Sequence, residues 1–293
     1  MTAQTTKMLG KCRPNEIADY LELIGDEQAA KRFHSDGVKA QRLSVPFIND
    51  EWGYTGAKIG FIPAAGKKVG CDIVNAIGME ADHSLKDQAL KISLDVFHVQ
   101  NYPGTGKHRI LCEFSGKNQT QKEAEAMRFA LTVAANDKSF AAHIGHPIFV
   151  GVNVGKDGLS FEGRTVNVRS DNDDMMLDAL GNATFRDGLS LLTTAQPVLK
   201  PFVKLADGVV TSVLNRNKNR EVFKFALGLD FSNSRTTAKL KLGSYVVVQT
   251  DETEWKWDDF VWDAASGAVL PRSDKTKALS LNYLVFGISK TGG

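Results

Sequence analysis

Strict alternation of apolar and polar positions is the clearest signal in this chain. Phe223, Phe225, Leu227, Leu229 and Phe231 occupy every second position, with Lys224, Ala226, Gly228 and Asp230 between them. Successive side chains of a strand point to opposite faces, so a period of two describes a strand with one face in a core. Residues 240–248, 255–262 and 279–289 carry comparable runs. Two longer stretches read as hairpins: 91–114, turning at Pro103-Gly104-Thr105-Gly106, and 148–168, turning at Asp157-Gly158. Between 44 and 78, short apolar runs separated by glycines predict short strands and tight turns. The 279–289 segment is apolar on both faces, with Leu281, Tyr283 and Val285 on one and Leu284, Phe286 and Ile288 on the other. Such a strand is either central in a sheet or an edge that another chain completes.

Helical spacing is found in three places. Ile17, Tyr20, Leu21 and Ile24 follow the i, i+3, i+4, i+7 pattern behind Pro14, and Gly25 divides that segment into two helices ending near Gly37. Met127, Ala130, Leu131 and Ala134 form one stripe behind a capping box of Thr120 and Glu123, which predicts a helix over 120–134. Leu199, Phe202, Val203, Ala206, Val210 and Val213 predict another, starting at Pro201 and stopping at Asn215. Consecutive strands with helices inserted among them predict a mainly β chain of the α+β kind, built as an antiparallel β-sandwich. Residues 1–88 read as a small helical and irregular region packed on the sandwich, and 89–293 as the sandwich with its inserted helices.

Composition narrows the function classes. With 42% hydrophobic and 24% charged residues the chain is neither disordered nor fibrous. A net charge of +2 builds no chain-wide attraction to nucleic acid, which is not an expected partner. Three scattered cysteines, Cys12, Cys71 and Cys112, make no disulfide scaffold or zinc cluster. The start lacks a basic segment followed by an apolar one, and no run approaches the roughly 20 apolar residues of a membrane span. The expected location is therefore cytoplasmic, with any membrane contact peripheral.

Several motifs fall short of a catalytic assignment. His143-Ile144-Gly145-His146 spells a signature of class I aminoacyl-tRNA synthetases, but it precedes a strand instead of opening a helix. Gly104-Thr105-Gly106-Lys107-His108 is similar to the end of a phosphate-binding loop, yet Asn101 stands at the first glycine and His108 where a hydroxyl should hold magnesium; a turn between strands accounts for it. Asp95, Glu113 and Lys117 resemble the set of a metal-dependent nuclease or hydrolase, although the carboxylate and lysine are four residues apart where that chemistry uses two.

Three sets of residues remain as candidate binding positions. Asp171, Asp173, Asp174 and Asp178 offer hard oxygen ligands suited to calcium, with a spacing similar to one loop of the calcium-dependent phospholipid-binding sandwiches. The competing reading makes Ser170-Asp171 the cap of a helix carrying Met175, Met176 and Leu177. Arg216, Lys218 and Arg220 form a short cationic tract suited to an anion or lipid headgroup. Trp255, Trp257 and Trp262, among acidic residues, suit a partner-binding surface or core packing. The expectation drawn from these is a non-enzymatic β-sandwich that works through contacts with a partner protein or with copies of itself. It needs no cofactor beyond the calcium that the aspartates suit. A calcium-assisted peripheral membrane or pore-forming protein and a metal-dependent hydrolase are the alternatives.

Overall fold

A computed structural model describes residues 7–40, 50–64, 71–119, 124–141, 145–170, 173–181, 185, 187–191 and 196–291. In chain order the helices are α1 (Pro14–Leu23), α2 (Glu27–Ala40), α3 (Asp174–Asp178) and α4 (Gln196–Leu214). The strands are β1 (Ala57–Pro63), β2 (Cys71–Asp72), β3 (Val74–Asn75), β4 (Ala89–Val99), β5 (His108–Gln119), β6 (Ala124–Ala135), β7 (Ser139–Phe140), β8 (His146–Asn153), β9 (Gly158–Asn167), β10 (Leu189–Ser190), β11 (Arg220–Asp230), β12 (Ala238–Lys239), β13 (Gly243–Gln249), β14 (Phe260–Asp263), β15 (Ala268–Pro271) and β16 (Tyr283–Lys290).

These strands form three sheets. The first runs β10-β8-β4-β16-β13-β1-β3, with β7 added to β4; the second runs β12-β11-β9-β5-β6; the third is β15-β14-β2. Pairing is antiparallel except for the short parallel contacts of β10 with β8 and β11 with β12. The mainly β, sandwich-like architecture is the one the alternation predicts. Residues 1–88 supply β1, which pairs with β13 along its whole length, as well as the two helices.

Strand β16 lies between β13 and β4, so it is central, and both of its faces are covered. Leu284, Phe286 and Ile288 belong to the main core between the first two sheets. Tyr283 and Val285 face the other way, into a second core with Val96, Val246, Val248, Trp257 and Val269, where the third sheet covers the first. In the main core Phe286 meets Phe114, Phe161 and Phe225 from three strands of the opposite sheet, with ring centroids 5.5, 5.3 and 5.6 Å away. Edge-on and tilted rings at that spacing add to area burial. Strand β11 shows the predicted alternation, with Phe223, Phe225, Leu227 and Leu229 buried and Lys224, Ala226 and Gly228 exposed.

The 120–134 segment is a correction: residues 124–135 form strand β6, paired with β5 in an unbroken register from His108↔Ala135 to Gln119↔Ala124. Thr120 and Glu123 lie outside the described residues. Met127, Phe129, Leu131 and Val133 fill the core at a period of two, and Ala130 is also fully buried on the opposite face, toward α4. Burial on both faces makes a strand look helical, and ladder pairing overrides the helix propensity of its alanines. The two hairpins are corrected as well. β4 and β5 belong to different sheets, as do β8 and β9, whose junction keeps only an isolated Gly155↔Gly158 bridge. A turn signal marks a change of direction and does not say whether the next strand stays in the same sheet.

Smaller differences follow from local sterics. Helix α4 begins at Gln196 and carries Pro201 inside it. The 240–248 run is interrupted, with β12 ending at Lys239 and β13 beginning at Gly243. Of 255–262, residues Trp257–Asp259 form a 3-10 turn and only β14 is a strand. Gly25 takes φ +82° between α1 and α2, which permits the helices to fold back on each other. Among the described residues no helix is long and apolar enough to cross a membrane.

Removal of the Phe286 ring empties the centre of the main core. Phe286→Ala is expected to lower the unfolding free energy by about 3–5 kcal/mol, whereas Val74→Ala on β3, 38% exposed, changes it by about 0.5 kcal/mol or less. Urea denaturation of both variants checks this.

Candidate functional site

Register gathers the chemistry at one end of the second sheet. His108 pairs with Ala135, Ile110 with Asn167, and Arg220 with Asn167, so the start of β5, the end of β6, the end of β9 and the start of β11 lie together. The turn entering β5, the segment leaving β9 and the α4–β11 turn meet there with the α1–α2 turn. Between them is a cavity of about 670 Å³. Lys107, Arg109, Arg169 and Lys218 line it together with His108, and none of its lining residues is acidic. Leu23, Ile24, Ala134 and Val168 supply an apolar part of the wall.

Buried amides hold this end rigid. Asn219, fully buried, accepts from the backbone N–H of Arg169 at 2.8 Å and of Ser170 at 3.2 Å. Its amide nitrogen donates to Val213 O at 2.8 Å and to Asp173 Oδ2 at 2.6 Å. Asn167, also fully buried, donates to the Tyr20 hydroxyl at 3.0 Å and to Pro103 O at 2.9 Å. The Tyr20 hydroxyl donates to Lys218 O at 3.4 Å, which ties α1 to the α4–β11 turn, and burial pushes its pKa up to about 12. Asn167 Oδ1 is left without a hydrogen-bond partner, while the bonds its amide nitrogen and Asn219 make fix one arrangement of these segments.

The two arginines of the pocket are braces. Arg169 donates to Thr105 O at 3.0 Å, to Pro103 O at 2.9 Å and to His108 Nδ1 at 2.9 Å. A guanidinium only donates, so His108 Nδ1 accepts and Nε2 carries the proton that goes to Asp137 Oδ1 at 2.8 Å. Both ring nitrogens of His108 are thereby engaged. Gly104, at φ +91°, makes room for the guanidinium; a Cβ there would lie 2.6 Å from Arg169 Nη2. Burial lowers the pKa of Arg169, and its Nε is buried without a hydrogen-bond partner. Arg109 pairs with Asp174 and donates to Ser170 O at 2.6 Å. Lys107 and Lys218 are exposed and make no ion pair with any described residue.

The candidate residues read from the sequence are distributed through this frame. Asp171 lies outside the described residues. Asp173 immediately precedes α3, but its fully buried carboxylate bonds Asn219 and lies 3.5 Å from Arg216 Nε, and no side-chain bond caps the helix. Asp174 turns to Arg109, and Asp178 is exposed. The cationic tract also divides. Arg216 goes to Asp173, Arg220 lies over the Tyr20 ring at 5.5 Å and donates to Asn219 O at 3.0 Å, and Lys218 alone lines the cavity. Trp255 stacks on Phe260 at 4.6 Å and meets Trp257 edge-on at 5.3 Å; Trp257 is buried, and Trp255 and Trp262 are half-buried against the second core.

The nuclease-like set does not converge. Asp95 is on β4 of the first sheet beside Ser93 at 2.6 Å, and burial raises its pKa. Glu113 is on β5 of the second sheet, buried between Arg164 Nε at 2.5 Å and Arg128 Nε at 3.1 Å, and Lys117 is exposed. His143 lies outside the described residues, and His146 bonds Phe185 O at 2.9 Å. Arg109 and Arg169 are the pocket residues that local sequence reading misses. Arg109 follows Lys107 by two residues, but Arg169 and Lys218 are far away in the chain, and only strand register brings them beside that segment.

A carboxylate buried against Asn219 and Arg216 contributes to stability without any ion. Asp173→Ala, measured in EDTA, is expected to cost about 1–3 kcal/mol by leaving the Asn219 amide unsatisfied. Arg216→Ala, at a 45% exposed side chain, costs about 1 kcal/mol or less. Thermal melting of both variants is the check, and equal losses would contradict the assignment. None of the protein-family models, curated proteins or solved structures compared with the chain matches it.

Proposed function

We propose that this protein is a non-catalytic β-sandwich binding module that takes a small phosphate-bearing anion in the pocket at the end of its second sheet. The observation that carries the reading is the lining: four basic side chains converge on one cavity with no acidic residue among them. Two of these, Arg109 and Arg169, are fixed in place by neighbouring acceptors, and two lysines keep their charge for a ligand. Oriented cations at a partly desolvated surface favour a compact anion, and a guanidinium fits phosphate oxygens in a fixed fork. The volume lies within the range of small-molecule sites, and Leu23, Ile24 and Val168 accommodate an uncharged portion of the ligand.

The same geometry supports binding over catalysis. His108, the residue best suited to proton transfer near neutral pH, has both ring nitrogens occupied by Asp137 and Arg169. Burial pushes the Cys112 thiol up, away from the thiolate a nucleophile requires. The reading keeps the non-enzymatic expectation and places its contact surface at Lys107 and Lys218.

Calorimetric titration with pyrophosphate at low salt tests the proposal. The full chain is expected to bind, with affinity falling as ionic strength rises to physiological values. Lys107→Ala and Lys218→Ala should each weaken binding roughly 3- to 10-fold, in keeping with exposed charge pairs. Undiminished affinity in the double variant, or no heat with the unaltered chain, would overturn the reading.

A further inference from the structure

We infer that Asp19, Glu22 and His34 form a binding site for a transition-metal dication of the zinc type on the exposed side of the helical hairpin. One ligand atom from each of the three lies within 4.8 Å of the others. Asp19 and Glu22 are three residues apart on α1, the spacing that puts two side chains on one helix face. Gly25 then reverses the chain, and α2 brings His34 back beside them, its Nε2 3.0 Å from Glu22 Oε1.

The donor set selects the kind of ion. An imidazole nitrogen beside carboxylate oxygens suits zinc and its first-row neighbours, which accept mixed nitrogen and oxygen ligands in a shell of four. Calcium takes six to eight oxygens and has no use for the imidazole. Three protein ligands leave one position of a tetrahedral shell for water or an exogenous group. Tetrahedral bonds of about 2.0–2.1 Å set the donors roughly 3.4 Å apart, close to the 3.0 Å that now separates His34 Nε2 from Glu22 Oε1, so only small adjustments are needed. All three residues are exposed, so their side chains can make these adjustments, and an ion reaches the donors without opening the fold.

Charge gives a second argument. Asp173, Asp174, Glu113 and Glu221 all meet arginine side chains. Asp19 enters no ion pair with a described residue, and the ion pair of Glu22 is with His34. Two carboxylates therefore stand with one imidazole, and among the described residues no lysine or arginine forms an ion pair with either of them. A dication supplies the balancing charge. The frame beneath is rigid, because α1 buries Ile17, Ala18, Tyr20 and Leu21 while α2 buries Ala29, Ala30 and Phe33 in the main core. An ion here bridges the two helices, and its three ligands are not among the residues lining the anion pocket.

Titration of the EDTA-treated full chain with zinc chloride, followed by calorimetry and thermal melting, tests the inference. One zinc per chain is expected, with a melting temperature raised by roughly 5 °C when zinc exceeds its Kd 100-fold. His34→Ala, Asp19→Asn and Glu22→Gln should melt like the unaltered chain in EDTA, since all three positions are exposed, and each should weaken zinc binding 10-fold or more. Calcium chloride under the same conditions should give no comparable heat. Absence of zinc binding, zinc affinity unchanged in His34→Ala, or calcium bound as tightly as zinc would each overturn it. Asp19→Asn, which keeps the side-chain shape, decides the matter if His34→Ala proves less stable.

Discussion

Everything in this fold is arranged around a strand with two apolar faces. β16 sends Phe286 into a cage of Phe114, Phe161 and Phe225 on one side and Tyr283 and Val285 into a second core on the other. A two-faced strand needs cover on both sides, which is why the molecule has a third sheet in addition to the two of a sandwich. The tryptophans belong to that requirement. Trp257 and its neighbours close the outer face of the first sheet, and the polar residues around them keep the cover in contact with water.

The ends of the sandwich are built by a different principle. Loops there carry backbone groups that no ladder satisfies, and Asn167 and Asn219 satisfy them from buried side chains. Because Asn167 bonds the Tyr20 hydroxyl and Pro103 O while Asn219 bonds the segment after β9 and Val213 O, these two residues tie α1, the turn entering β5, the segment after β9 and the end of α4 to their neighbours. Charged side chains then follow a division of labour. Those with partners, Arg109, Arg169 and Arg216, hold the loops, while Lys107 and Lys218 are left facing the cavity.

The outer face of the second sheet shows the same economy on a larger scale. Glu113 is buried between Arg128 and Arg164, Arg164 reaches Glu221 at 3.3 Å, and Arg128 pairs with Asp207 of α4. A buried charge is tolerated when its partners compensate it, and removing one of them leaves an uncompensated ion. Through Arg128 and Asp207 this network connects α4 to the sheet, beside the apolar contacts that Ala206, Val209, Val210 and Val213 make in the main core. It also explains why a carboxylate near a lysine in sequence does not amount to a metal site: Glu113 is turned to arginines on β6 and β9, and Lys117 projects to solvent.

Local pattern by itself determined that the chain is mainly β, that β11 has one buried face, that β16 is apolar on both, and that Gly25 separates two helices. Each of these depends on neighbours a few residues apart, which is the range over which side-chain period and backbone freedom act. Tertiary structure decided the rest. β6 is a strand because β5 offers it a full ladder, although its alanines and double-sided burial fit a helical period as well. Apparent hairpins became crossings between sheets because partners far away in sequence compete for the same strand edges. The cationic tract 216–220 separated into a brace, an aromatic contact and a pocket lysine, because side-chain direction is set by what packs against each residue. The meeting of Lys107 and Arg109 with Arg169 and Lys218, and of Asp19 and Glu22 with His34, depends on register and helix packing. Those are long-range constraints, and no local spacing encodes them.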